Sequence, residues 1–84
     1  MSDVYNHLVQ LMTAEFGFEA DEIKPDDTFN ELELDSLALV ELAMAASADL
    51  GVAIGDEDLS PDDTVERAAK LIEGKLAEVK GVNA

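Results

Sequence analysis

The sequence predicts an all-α fold, a small four-helix bundle of three main helices plus one short helix, with a long loop between helices one and two. Three observations carry this prediction. Apolar residues recur at three- and four-residue spacing in two separate stretches, a third stretch is an unbroken run of strong helix formers, and no segment shows the strict alternation of a strand. At 84 residues the chain reads as one domain, 1–84. A chain of this size buries only about 60 to 65% of its unfolded surface, so its core has little to spare.

Helix one is expected from Asp3 to Phe16, where Val4, Leu8, Leu11, Met12 and Phe16 form one apolar stripe, and Gly17 ends it. The next stretch, FEADEIKPDDTFNELEL, carries Pro25 and several acids, with Ile23, Phe29, Leu32 and Leu34 as isolated apolar anchors. It reads as a long loop pinned to the core, and loops of that length inside a small domain are often functional. Helix two then begins at Ser36 in SLALVELAMAASADL, which has no proline or glycine before Gly51. After Gly51, Val52 and Ile54 offer buried anchors, and the remaining residues leave room for a short helical turn. Asp63 with Glu66 three residues on resembles a capping box. Val65, Ala68, Ala69, Ile72, Leu76 and Val79 make the stripe of the last helix. The expected core is Leu8, Met12, Phe16, Phe29, Leu42, Leu50, Ile54, Val65 and Ile72.

Composition narrows the function classes. Hydrophobic residues make up 48% of the chain, too many for an acidic disordered tail despite a net charge of −15. Without cysteine there are no disulfides, thiolate metal sites or cysteine nucleophiles. No stretch has the apolar length of a membrane span, and the N-terminal MSDVYNHLVQ lacks the character of a signal peptide, so a cytoplasmic location is expected. Twenty acids against five bases repel nucleic-acid phosphates and anionic lipid headgroups. Partners are therefore expected to carry basic patches.

Three readings are open for Ser36. Serine and aspartate are preferred helix N-caps, because their oxygens accept the free N–H groups of the first turn. Catalysis is poorly supported, since a serine nucleophile needs a base and an oxyanion hole and the chain lacks G-x-S-x-G. The single histidine, His7, lies on helix one and reads as a surface or helix-flank residue. The third reading is attachment of a group to the hydroxyl. The acidic stretch DEDLSPDD was compared with a calcium-binding EF-hand loop starting at Asp56. Asp58, Ser60 and Asp62 fall at ligand positions, but Pro61 occupies the turn-glycine position and Arg67 the position of the bidentate glutamate, so the pattern fails.

Along nearly its full length the chain resembles the acyl carrier proteins: a first helix, a long loop with Thr28-Phe29, then Asp35-Ser36-Leu37 at the head of a helix. It continues with Val40-Glu41-Leu42, Met44, Leu50-Gly51-Val52, IGDEDL and TVERAAKLI. The resemblance implies that Ser36 receives 4′-phosphopantetheine from coenzyme A and that Asp35 assists the metal-dependent phosphopantetheinyl transferase. A phosphodiester suits a helix N-terminus, and the arm brings its own thiol for acyl thioesters. It further implies a non-catalytic, discrete, monomeric carrier. Leu37, Val40, Glu41 and Met44 would then meet ketosynthase, acyltransferase and other synthase enzymes, with no nucleic acid or membrane partner. Val40 and Met44 read equally well as core, and Glu41 as a solvated helix face.

Two departures stand out. Glu33 occupies a position, three residues before the serine, where many members have glycine. Helix two ends in AASAD rather than in consecutive acids, which points to polyketide or other specialised biosynthesis, with antibiotic pathways among them; the alternative is primary fatty-acid biosynthesis. Ala43, Ala46, Ala68 and Ala69 are expected to leave room for cargo. The rival reading from another class is an acidic adaptor or nucleic-acid mimic.

Overall fold

The computed structural model describes residues 3–82, with side chains for all of these except Asp56 and residues 79–82. Val79 of the expected stripe and the side chain of Asp56 thus lie outside the described residues. The main helices are α1 (Asp3–Phe16), α2 (Ser36–Leu50) and α3 (Val65–Val82). The short helix after Gly51 is one 3₁₀ turn, Asp56–Asp58, and a second 3₁₀ turn, Ala20–Glu22, interrupts the long loop.

Helix α1 touches both other main helices, and its buried side chains, Val4, Tyr5, Leu8, Val9 and Met12, form the middle of the core. Leu39, Leu42, Ala43 and Ala46 close it from α2. Val65, Ala68, Ala69 and Ile72 close it from α3, and Phe29 and Leu34 plug it from the loop. Among the described residues every buried side chain is hydrophobic, Tyr5 included. Of the expected core, Phe16 and Leu50 are only half-buried, since each is the last residue of its helix. Both helices stop on glycine in the left-handed region: Gly17 at φ 78° and Gly51 at φ 69°, each donating its N–H to the carbonyl four residues back.

The long loop is held by backbone as well as by its apolar anchors. Thr28 and Thr64 form an isolated antiparallel bridge. Phe29 N–H donates to Asp63 O (3.1 Å) and Asn30 N–H to Pro61 O (2.8 Å), while Val65 N–H donates to Asp27 O (3.0 Å) and Glu66 N–H to Pro25 O (2.9 Å). This ladder satisfies N–H groups at the start of α3 that have no partner within the helix. The expected capping box at Asp63 and Glu66 is corrected by one residue. Thr64 is the cap, its Oγ1 accepting from Arg67 N–H at 3.1 Å, and Arg67 stands where a box needs an acid. Asp63 pairs with the Arg67 guanidinium instead, at 3.5 Å.

Candidate functional site

The site is built on the junction between loop and α2. Buried Leu34 ends the loop in the core, and its N–H donates to Phe29 O at 2.9 Å. The next residue, Asp35, takes the extended backbone of an N-cap, and its Oδ1 accepts from Ala38 N–H at 2.9 Å. The cap is therefore Asp35, and the cap reading of Ser36 is corrected. Ser36 is the first helical residue, exposed, and no group among the described residues hydrogen-bonds its hydroxyl. Asp35 serves only the third N–H of the helix, so among the described residues the N–H groups of Ser36 and Leu37 stay open at the positive end of the helix dipole. An anionic group bonded to the Ser36 hydroxyl fits there.

Beyond the serine, α2 presents Leu37, 70% exposed, and Met44, 67% exposed. With exposed Glu41 they lie on one face at i, i+4 and i+7. Val40 is half-buried, turned between this face and the core. Glu41 and Met44, with Glu15 from the end of α1 and Ala45, line an open hollow of ≈ 490 Å³. Exposed apolar side chains as large as Leu37 and Met44, rimmed by charge, are the character of a docking spot.

Three acids precede the serine and have different employment. Glu31 Oε1 accepts from both the N–H and the hydroxyl of Thr28, at 3.0 and 3.1 Å. These bonds, the N–H first, hold its carboxyl below the ordinary range. Asp35 is the cap. Glu33 is exposed, no group among the described residues bonds its carboxylate, and its backbone sits at φ 64°, the left-handed region that favours glycine.

His7 is bonded to Asp49 near the far end of α2, linking α1 to α2. Thirteen residues of helix separate Asp49 from Ser36, about 20 Å at 1.5 Å per residue, so the imidazole cannot act on the serine. The same contact occupies one of the two acids of α2. Ser47, which carries no signal in the sequence, accepts from Ile54 N–H at 3.0 Å and donates to Ile54 O at 3.2 Å, tying α2 to the segment after it. Asp58 Oδ2 accepts from Gly55 N–H at 2.9 Å and from the Lys75 ammonium at 3.1 Å. Ala43, Ala46, Ala68 and Ala69 are all buried, whereas a hollow of ≈ 470 Å³ lies elsewhere, between Val4, His7, Leu50 and Leu76. No helix among the described residues is long and apolar enough to cross a membrane.

Comparison with known proteins agrees with this geometry. Residues 6–72 match the phosphopantetheine attachment site family. Acyl carrier protein 2 of Pseudomonas aeruginosa is 38% identical over 74 residues, 87% of this chain and 94% of the relative. The acyl carrier protein of Petrotoga mobilis is 35% identical over 75 residues, 88% of each. That of Solidesulfovibrio magneticus is 39% identical over 70 residues, 82% of this chain and 90% of the relative.

Proposed function

This chain belongs to the acyl carrier proteins, non-catalytic carriers loaded by a phosphopantetheinyl transferase, and from that premise we propose that Ser36 is the residue that takes the arm. The supporting observation is the pairing of a free, exposed hydroxyl with two open N–H groups at the start of α2. When bound, the arm supplies the thiol on which acyl groups ride. The chain supplies the rest. Ser36 Oγ makes the ester link, and the Ser36 and Leu37 N–H groups with the helix dipole stabilise the phosphate charge beside it. Asp35 Oδ1 fixes the helix start, leaving Oδ2 to face the transferase and its metal. Among the described residues the other two serines have no comparable setting: Ser47 is tied to Ile54, and the Ser60 hydroxyl accepts from Asp62 N–H.

Cargo is to be sheltered where Ala43 and Ala46 of α2 and Ala68 and Ala69 of α3 lie. All four are closed in the core, so taking in an acyl chain requires α2 and α3 to part. Leu37, Val40, Glu41 and Met44 form the face for ketosynthase, acyltransferase and other synthase partners, and the carrier works as a cytoplasmic monomer. For the pathway, polyketide or related specialised biosynthesis is favoured over primary fatty-acid biosynthesis. Only Glu41 and Asp49 are acidic on α2, and Asp49 is engaged by His7.

The test is intact mass after incubation with coenzyme A and a promiscuous transferase. The wild-type chain gains one phosphopantetheine, and Ser36→Ala gains none while remaining folded. Loading of Ser36→Ala would move the site elsewhere.

A further inference from the structure

Glu33 holds a conformation that costs it energy and a charge that the fold does not use. Its φ of 64° is the only positive value at a non-glycine residue among the described residues. Such a geometry crowds Cβ against the backbone and persists only where the surroundings fix it. Here they do. Glu33 N–H donates to Asn30 O at 3.0 Å, the flanking Leu34 is buried, and Leu32 packs against the core. A glycine would adopt the same turn without strain, and among the described residues no bond to the Glu33 carboxylate offsets the difference.

The neighbouring charges sharpen the point. Glu31 is consumed by Thr28 and Asp35 caps α2. Past the serine, Glu41 is the one acid of α2 that no other residue holds, because Asp49 is bonded to His7. A partner approaching Ser36 and the apolar pair Leu37 and Met44 therefore meets uncommitted carboxylates on both sides, Glu33 ahead of the serine and, behind it, Glu41 with Glu15 of α1. The first stands on a turn whose backbone is already fixed, so little loop entropy is lost when it is engaged.

We infer that Glu33 is a specificity-determining residue for the enzymes that act on Ser36, its carboxylate receiving a lysine or arginine of the transferase as the serine is presented. The inference rests on the proposal that Ser36 is the attachment residue. It assigns to the loop side of the serine the electrostatic recognition that the far half of α2 lacks.

The experiment measures KM and kcat for arm loading, with coenzyme A and a phosphopantetheinyl transferase, over a salt series. Four variants are compared with the wild type: Glu33→Gln, Glu33→Gly, Glu33→Asp and, as a remote loss of the same charge, Glu78→Gln on α3. Removing the Glu33 charge should raise KM roughly two- to fivefold at low salt, the size of a solvent-open ion pair. The difference should shrink as salt rises. Glu33→Gly should show the same rise in KM although its Tm increases by a few degrees, which a merely structural role would not produce. Glu33→Asp should restore most of the affinity, and Glu78→Gln should behave as wild type. If Glu33→Gln and Glu33→Gly keep the wild-type KM at low salt, with Ser36→Ala still refusing the arm, this inference alone falls. If Ser36→Ala is loaded, the attachment reading fails and takes the inference with it.

Discussion

Asp35 and Ser36 are adjacent, and both carry oxygens suited to capping a helix, yet the fold gives the cap to the first and leaves the second free. The N-cap must have extended backbone, which Asp35 has, and its side chain must reach back over the first turn. Asp35→Ala is therefore expected to cost about 0.5 to 2 kcal/mol in a urea titration, the usual range for a lost cap. Ser36→Ala should stay within roughly 0.5 kcal/mol of wild type, as exposed positions without a structural partner do. A reversal of that order would return the cap to the serine. Composition alone could not separate these two residues, because either oxygen satisfies the same N–H group and the choice is a backbone matter of one residue. The same one-residue ambiguity hid Thr64 behind Asp63. Glu33 was legible as a departure from the glycine of many acyl carrier proteins; its left-handed backbone shows only in the fold.

At the scale of elements, the three main helices were legible because each buries a stripe or a run of strong helix formers, and periodicity reports burial directly. The ladder between the loop and the start of α3 was not, since backbone hydrogen bonds leave no trace in side-chain order. The contact of Ser47 with Ile54 likewise joins two residues whose types announce nothing. It matters for redesigning α2: adding an acid at Ser47 would break both bonds to Ile54 and leave its N–H without that partner, so charge belongs at exposed Ala48 instead. Ala48→Glu should raise turnover by fatty-acid synthesis enzymes more than by the native partner. Leu37→Ala or Met44→Ala should weaken binding to a native ketosynthase more than Glu41→Gln does, and the wild-type rate should fall only gently with salt. A steep fall with salt, with fatty-acid enzymes served best, would overturn the specialised-pathway proposal.

The segment after α2 makes a pH prediction of its own. The Gly55 N–H, and after it the Lys75 ammonium, hold the Asp58 carboxyl below its ordinary range. A depressed carboxylate contributes stability that is full above its unfolded value and lost as pH falls through its folded value. Asp58→Asn should therefore cost about 1 kcal/mol at neutral pH, because the pair is only half-buried and still screened, and should make the acid limb of the stability curve shallower. An unchanged limb would mean that the bonds do not persist in solution.

For the whole molecule, charge is the governing term. Four of the five lysines and arginines lie on α3, where Arg67, Lys70 and Lys75 each pair with an acid, so these bases offset only a small part of the twenty acids. Self-repulsion at −15 opposes the compact state, and mobile ions relieve it. Tm should rise with sodium chloride and more steeply with magnesium or calcium. The divalent response should be graded, as expected of diffuse screening; a sharp one-to-one calcium transition in calorimetry would reveal a chelating loop. The sign and size of this effect were legible in composition, whereas the concentration of pairs on α3 required knowing which turns bring opposite charges together.

The ladder that holds the long loop to the start of α3 joins residues about thirty to forty positions apart in the chain, and this sets an order of events. Closing so large a loop is entropically costly and cannot precede the arrival of its second half. In a chain growing from its N-terminus, the residues of α1 and α2 are both made while Pro25, Asp27, Phe29 and Asn30 of the loop still lack their backbone partners at Glu66, Val65, Asp63 and Pro61. The loop that leads to Ser36 is therefore pinned at Phe29 and Asn30 only once the start of α3 exists to receive it.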